Sequence, residues 1–138
     1  MNVYKNPTCF SRWSVRDFQC HQIEHQLGAY TNCNHGAGLA VIHPVLYRHI
    51  YACNIPRFAR FARNVWDVQE ENEQLAASKG IELFAAFIRE IGLPTTLAEL
   101  GVSKELDLKA VAYSTNISAG CCKTLTGDEI YEILKECQ

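Results

Sequence analysis

Apolar side chains recur at helical spacing in two central stretches of this chain. In the first stretch they stand at i, i+3, i+4, i+7 and i+8, and they are Phe58, Phe61, Ala62, Val65 and Trp66. Three arginines, Arg57, Arg60 and Arg63, lie on the opposite face. Because Pro56 is suited to a first helical turn, the pattern predicts an amphipathic helix that begins near this residue.

A longer helix is predicted to begin near Glu71 and to end at Gly92, with Pro94 just beyond it. Its predicted apolar face consists of Phe84, Phe87, Ile88 and Ile91. Capping-box spacing occurs at residues 96–99 and 126–129, and each of these motifs predicts a helix start. The apolar face of the last helix is predicted to be Ile130, Ile133, Leu134 and Cys137.

The remaining pattern favours helices over strands. No stretch of useful length alternates apolar and polar residues as a half-buried strand would, and no internal repeat occurs. Residues 1–16 show no helical period and are predicted to be irregular, whereas residues 17–138 are predicted to form one helical domain. With 138 residues and 48% hydrophobic content, the chain can bury a sizeable core. The fold class is therefore predicted to be all-α.

Charge and hydropathy exclude several classes of partner. The net charge is −2, and the basic residues form no stripe, so binding to nucleic acid or to an anionic membrane surface is not expected. The longest apolar stretch, residues 39–46, is interrupted by His43 and Pro44 and is too short to span a bilayer. Residues 1–14 lack the apolar segment of a signal peptide. These features predict a cytoplasmic protein.

The chain contains seven cysteines, which is an odd number, and no C-x-x-C pair. Without a secretion signal, this pattern predicts reduced thiols. Cys20 and Cys33 flank a group of histidines and have the chemistry to ligate zinc. A buried cysteine is more often a small apolar residue, and we therefore expect both to pack in the protein.

The group of histidines begins with His21-Gln22-Ile23-Glu24-His25 and continues ten residues later at His35, before a glycine-rich stretch. Residues four apart share one face of a helix, so His21 and His25 can point into the same volume, and a turn can return His35 beside them. Imidazole is the commonest side-chain ligand for zinc, copper and iron. The spacing predicts a metal site at these three histidines.

Three other residues near this group are interpreted differently. Asp17 stands one helical turn before His21, but spacing alone is not sufficient to make it a ligand. His43 and His49 are expected to be ordinary packing or surface residues, since single histidines on helices usually are.

One hypothesis for the group is a zinc metallopeptidase. His21-x-x-Glu24-His25 matches the H-x-x-E-H pattern, in which two histidines hold zinc and the glutamate activates water. A third, acidic ligand would also be required, and Glu71, Glu82 and Glu99 are undistinguished candidates. A match at three fixed positions carries little weight by itself.

A second hypothesis rests on longer stretches of sequence. The chain from about Phe18 onward resembles the C-terminal helical domain of the iron-dependent alcohol dehydrogenases, in particular the NAD(P)H-dependent butanol dehydrogenase branch. The resemblance lies in His21-Gln22-Ile23-Glu24-His25-Gln26-Leu27-Gly28-Ala29-Tyr30, Asn34-His35-Gly36-Ala37-Gly38-Leu39-Ala40-Val41-Ile42, Arg57-Phe58-Ala59-Arg60-Phe61-Ala62-Arg63-Asn64-Val65-Trp66 and Ile91-Gly92-Leu93-Pro94-Thr95-Thr96-Leu97-Ala98-Glu99-Leu100-Gly101. It implies a helical bundle of the dehydroquinate synthase-like fold.

The resemblance also implies roles for individual residues. His21 and His35 would ligate Fe²⁺ or Zn²⁺, and His25 would lie beside the nicotinamide of NAD(P), where it serves as a catalytic and cofactor-binding residue. Glu24 would then be a structural residue next to the site and would not activate water. The implied reaction is the interconversion of small primary alcohols and aldehydes.

The chain departs from the family pattern in its first part. Complete members place an α/β nucleotide-binding domain first, and they draw two more metal ligands, an aspartate and a histidine, from helices of that upstream region. Neither part is found in this sequence. We therefore expect a C-terminal fragment that is inactive alone, with an upstream nucleotide-binding fragment as a possible partner and a homodimer as a possible assembly. A non-catalytic helical interaction domain is the remaining alternative.

Overall fold

The computed structural model describes residues 17–118 and 122–138, and within these ranges all regular structure is helical. Six α-helices follow one another here: α1 (Gln19–Thr31), α2 (His35–Ile50), α3 (Ile55–Trp66), α4 (Glu73–Glu90), α5 (Leu108–Ser114) and α6 (Gly127–Glu136). A 3₁₀ turn, Tyr51–Cys53, joins α2 to α3. The predicted all-α class is confirmed. The irregular structure predicted for residues 1–16 lies outside the described residues.

The helices pack as three pairs, α1 with α2, α3 with α4, and α5 with α6. Helix α2 also contacts α4 and α6, and α1 contacts α5. The main core lies between α1, α2, α5 and α6, and its fully buried side chains include Ile23, Leu27, Ile42, Leu46, Val111, Ile130, Ile133 and Leu134. Burial of this apolar surface supplies the main drive for folding. Among the described residues, no helix is both long enough and apolar enough to cross a bilayer.

Several helix starts are fixed by side chains that accept hydrogen bonds from otherwise unpaired backbone N–H groups. Asn34, Asn72 and Asp107 each accept such a bond, at 3.0 Å, from the third residue of the helix that follows. At α6, Thr126 accepts from the N–H of Glu129 at 3.3 Å, and the Glu129 carboxylate accepts from the N–H of Thr126 at 2.9 Å. The capping box predicted for α6 is confirmed.

The other predicted capping box opens only a turn. The N–H of Glu99 donates to Oγ1 of Thr96 at 3.1 Å, but the Glu99 carboxylate accepts from the N–H of Thr95, at 2.6 Å, and not from that of Thr96. The chain then reverses at Gly101, which has a φ of 84°. Because a left-handed residue ends a helical turn, the helix predicted to start at Thr96 is wrong.

The buried face of α4 shares only Ile88 with the apolar face that its sequence predicts. It consists of Ala76, Ala77, Gly80, Ile81, Ala85 and Ile88. Phe87 and Ile91, which belong to the predicted face, are 42% and 52% exposed. The physical reason is the close approach of α3, since a Cβ added to Gly80 would lie 2.5 Å from Cβ of Ala62. Larger side chains therefore stand at the margin of this contact.

The described cysteines differ in exposure. Cys20 and Cys137 are buried, Cys33 and Cys122 are half-buried and Cys53 is exposed. Cys20, Cys33, Cys53 and Cys137 are free thiols, as predicted. Burial raises the pKa of the Cys137 thiol to about 12 and raises that of Cys20 far above its usual range. Both buried thiols stay protonated and pack as small apolar groups.

Gln19 is a buried polar residue that ties the start of α1 to the segment before α6. It is 0% exposed. Its side-chain N–H donates to the carbonyl of Lys123 at 2.7 Å, and its amide oxygen accepts from the N–H of Leu125 at 2.9 Å.

The substitution Gln19→Leu removes both bonds and leaves two backbone groups unpaired. We therefore expect urea denaturation to show a loss of about 2 kcal/mol in the free energy of unfolding.

Gln22→Leu is the matched control for this prediction. The Gln22 side chain lies on the same helix and donates to Oγ of Ser118 at 2.9 Å, but this bond is exposed to solvent. We expect this variant to lose less than about 1 kcal/mol. Equal losses in the two variants would contradict the importance assigned to the buried bonds of Gln19.

Candidate metal centre

A short turn between α1 and α2 brings histidines of both helices together. The turn begins at Asn32, which has a φ of 55° and whose N–H donates to the carbonyl of Gly28 at 2.7 Å. Asparagine adopts this left-handed conformation more readily than most residues do. Helix α2 then begins at His35, with Asn34 as its cap. The local sequence thus sets His35 at the first position of α2.

The rings of His21, His25 and His35 form one cluster. Between ring centroids, His35 lies 5.4 Å from His21 and 5.1 Å from His25, and the two histidines of α1 are 6.2 Å apart. The structure therefore brings together the three histidines that the sequence singled out. Their assignment as metal ligands or as a nicotinamide contact stays a prediction.

Glu24 lies beneath this cluster and is only 2% exposed. One of its carboxylate oxygens is hydrogen-bonded to Nδ1 of His35. The other oxygen lies 3.9 Å from Sγ of Cys33. A buried carboxylate is costly unless it is paired, and His35 supplies the partner.

Part of the cluster has donor atoms close enough together to hold a divalent transition metal, and His21 does not belong to this group. One donor atom from each of Glu24, His25 and His35 lies within 4.8 Å of the other two. Imidazole nitrogens, with a carboxylate in reach, are the ligands that zinc and ferrous iron use in proteins. His25 and His35 are exposed, so the cluster is open on one side.

Asp17 is not part of this donor set. It precedes α1, and its Oδ1 accepts from the N–H of Gln19 at 3.1 Å while its Oδ2 accepts from the N–H of Cys122 at 3.0 Å. Its two oxygens therefore bind the backbone at the start of α1 and before α6. This placement agrees with the expectation that spacing alone does not make Asp17 a ligand.

His43, which is expected from the sequence to be an ordinary packing or surface residue, adjoins the cluster. Its ring centroid is 6.4 Å from that of His21 and 5.4 Å from that of Tyr47. Burial is the main cause that lowers the pKa of His43, and the nearby His21 lowers it further, so His43 is neutral at pH 7. The sequence feature that could have predicted this position is the spacing of eight residues between His35 and His43, which places both on one face of α2.

His49 instead pairs with Glu136 of α6, at 2.9 Å.

An aromatic wall extends from His43 across α2, α3 and α4. It consists of Tyr47, Phe58, Phe61, Trp66, Phe84 and Phe87. Ring centroids are 5.8 Å apart for Tyr47 and Phe84, 6.5 Å for Phe84 and Trp66, and 5.6 Å for Trp66 and Phe87. The histidine cluster is therefore bordered by an apolar surface.

The geometry of Glu24 argues against the metallopeptidase hypothesis. That mechanism requires a glutamate that faces water at the metal and takes its proton. Here the carboxylate is buried and bonded to His35, on the side of the cluster away from solvent. It is not placed to activate water between His21 and His25.

Comparisons with known proteins identify relatives over most of the chain. The family model described as Fe-containing alcohol dehydrogenase family, C-terminal, matches residues 10–138. A probable NADH-dependent butanol dehydrogenase of Bacillus subtilis is 33% identical over 122 residues, which is 86% of this chain and 32% of the relative. NADH-dependent butanol dehydrogenase A of Clostridium acetobutylicum is 27% identical over 126 residues, 88% of this chain and 32% of the relative.

Solved structures agree with these matches. The NADH-dependent butanol dehydrogenase A of Thermotoga maritima superposes with a TM-score of 0.78 at 30% identity, covering 88% of this chain and 33% of the other. A 1,3-propanediol oxidoreductase superposes with a TM-score of 0.79 at 25% identity, covering 87% and 32%. This chain thus spans about a third of the length of these relatives.

Proposed function

The chain belongs to the Fe-containing alcohol dehydrogenase family, of which it carries the C-terminal domain, and on this basis we propose that it forms the metal-binding part of an enzyme that interconverts primary alcohols and aldehydes with NAD(P). Relatives include butanol dehydrogenases named as dependent on NADH or on NADPH, an aldehyde reductase and a lactaldehyde reductase. These names support small alcohols and aldehydes as the substrate class.

The observation that carries this proposal is the convergence of three imidazoles on the α1–α2 pair. We propose that His21 and His35 hold Fe²⁺ or Zn²⁺, and that His25 faces the nicotinamide. When bound, the metal ion would polarise the oxygen of the alcohol or aldehyde, and the nicotinamide would exchange a hydride with the neighbouring carbon.

The chain's own residues supply the proton path and the shape of the site. The exposed His25 imidazole, 5.1 Å between ring centroids from His35, accepts the hydroxyl proton at a free ring nitrogen when an alcohol is oxidised. It returns a proton when an aldehyde is reduced. The aromatic wall offers apolar contact for the carbon chain of the substrate.

The nicotinamide must come from another domain. Residues 17–118 and 122–138 contain no β-strand, and a dinucleotide is ordinarily bound by a βαβ unit with a glycine-rich turn. We therefore propose that NAD(P) reaches His25 from a nucleotide-binding domain outside the described residues, in the same polypeptide or in a separate one.

Metal titration tests the ligand assignment. Anaerobic titration of the purified chain with Fe²⁺, and separately with Zn²⁺, is expected to show one bound ion. Replacing both His21 and His35 with alanine should weaken the affinity by at least about 100-fold, because both proposed ligands of this chain are lost. Calorimetry or a competing chromophoric chelator would measure the change.

His49→Ala is the matched control, since His49 also lies on α2 but pairs with Glu136. Its affinity for metal should equal that of the unaltered chain. Unchanged affinity in the His21 and His35 double variant would refute the ligand assignment, and an equal loss in the His49 variant would show that the assay reports folding.

A further inference from the structure

We propose that Glu24 positions a ligand of this metal centre. Its carboxylate accepts a hydrogen bond from Nδ1 of His35, and this bond presents Nε2 of His35 to the metal ion. This inference rests on the proposed function, because it assigns how one proposed ligand is held. Because the hydrogen bond joins two side chains of this chain, it can be tested in the metal-free protein as well.

The first observation is the contrast in exposure between the two partners. The Glu24 side chain is 2% exposed and that of His35 is 51% exposed. The ring is therefore held from its buried side, and its other edge is open. A hydrogen bond at Nδ1 fixes the tautomer that carries hydrogen there, and it leaves the lone pair of Nε2 as the free ligand atom.

The second observation is the space that both helices leave for the carboxylate. A Cβ added to Gly38 would lie 2.8 Å from Cγ and 2.8 Å from Oε1 of Glu24, whereas one added to Gly28 would lie 3.6 Å from Oε1. The Gly38 distance is shorter than a side-chain contact tolerates. Gly38 is thus required on α2 so that the Glu24 carboxylate can lie beneath His35.

Direct ligation by Glu24 is the competing explanation, because a Glu24 oxygen lies within 4.8 Å of donor atoms of His25 and His35. The hydrogen bond argues against it. The bond occupies one carboxylate oxygen of Glu24 and Nδ1 of His35, and a metal ion between these two atoms would separate the pair. The two explanations differ in what a glutamine at position 24 would do.

Nitrogen NMR of the metal-free protein is the first test. Long-range ¹⁵N–¹H correlations distinguish the two imidazole tautomers. We expect His35 to carry its hydrogen on Nδ1 in the unaltered chain and to lose this preference in Glu24→Leu. Glu24→Gln should retain it, because the amide oxygen of glutamine accepts the same bond. A mainly Nε2-protonated His35 in the unaltered chain would overturn the inference.

Zn²⁺ affinity of the same variants is the second test. Glu24→Leu is expected to weaken binding by about 10- to 100-fold, the range seen when the hydrogen-bond partner of a ligating histidine is removed. Glu24→Gln should weaken it by less than about 10-fold. A glutamine variant that loses binding as completely as the His21 and His35 double variant would show that Glu24 is a ligand and would overturn the positioning role.

Gly38→Ala provides a test that leaves every donor atom in place. Its methyl group must displace the Glu24 carboxylate, so Zn²⁺ affinity should fall by about 10-fold. Gly36→Ala is the matched control, since its methyl group would lie an ordinary 3.6 Å from Oδ1 of Asn34. In a Glu24→Ala background the Gly38→Ala change should have little further effect, because the obstructing side chain is gone.

The outcomes separate this inference from the proposed function. Metal binding that depends on His21 and His35 but is unchanged in Glu24→Leu would overturn the inference alone. Binding that does not depend on His21 and His35 would overturn the proposed function, and the tautomer of His35 would still test the hydrogen bond to Glu24.

Discussion

Replacing Gly80 with valine is expected to lower the free energy of unfolding by about 3 kcal/mol, because the new side chain enters the contact between α3 and α4. Even the first added atom would lie 2.5 Å from Cβ and 2.8 Å from Cα of Ala62. A Cα atom belongs to the backbone and cannot rotate away as the end of a long side chain can. The two helices would have to separate, and urea denaturation would measure the loss.

Ala86→Val introduces the same side chain on the exposed side of α4 and is the control for this prediction. The lower helix propensity of valine should cost it less than about 1 kcal/mol. Combining Gly80→Val with Ala62→Gly should recover part of the loss, since one of the two obstructing atoms is removed. Equal stability of Gly80→Val and Ala86→Val would contradict the close approach of α3 and α4.

Replacing Ile23 with alanine is expected to lower the free energy of unfolding by about 4 kcal/mol. Ile23 is 0% exposed and lies on α1, where its side chain packs in the main core. The substitution removes buried methyl and methylene groups and leaves a cavity that its neighbours fill only in part. Ile23→Val should cost about 1 kcal/mol, so the two variants form a graded pair.

Tyr30→Ala is the control on the same helix, since Tyr30 is 47% exposed. It should change the free energy of unfolding by less than about 0.5 kcal/mol. If Ile23→Ala were as stable as Tyr30→Ala, the core between α1, α2, α5 and α6 would not be packed as described. Both variants leave His21 and His25 unchanged, so their metal affinity can be compared under conditions where each is folded.

The sequence predicted those helices whose signals are local. Pro56 marks the start of α3 and the capping box at Thr126 marks that of α6, and the start predicted near Glu71 lies two residues before the first residue of α4, Glu73. The short helix α5 was not predicted, since Leu108–Ser114 is seven residues long and too brief to show a period. The turn after Thr96 was predicted to be a helix because the motif gives only the residue spacing. It does not show that the Glu99 carboxylate accepts from the N–H of Thr95 instead of that of Thr96.

The apolar face predicted for α6 is confirmed, but the faces of α3 and α4 were predicted less well. A periodic pattern marks the larger apolar side chains, but it does not say which neighbour will approach closely. At α4 the contact is made by Gly80 and the alanines, since small residues allow α3 to come near. The periodic pattern therefore predicted that Phe87 is buried, whereas its side chain is 42% exposed.

The histidine cluster could be predicted because its geometry is set by residue spacing. His21 and His25 share a face of α1, and a turn of the right length returns the chain at His35. The bond between Glu24 and His35 could not be derived in the same way, because it depends on how α1 and α2 are rotated about their axes. The sequence feature related to this bond is Gly38, because its lack of a side chain leaves space for the Glu24 carboxylate.

The cluster also has a consequence for how the protein folds. His21, His25, His35 and His43 all lie on two consecutive helices joined by residues 32–34. Contacts of such short sequence separation have low contact order and a small loop-closure cost, so they can form early in folding. The α1–α2 pair, with its four histidines, is therefore expected to assemble before the contacts of longer sequence separation that join it to α5 and α6.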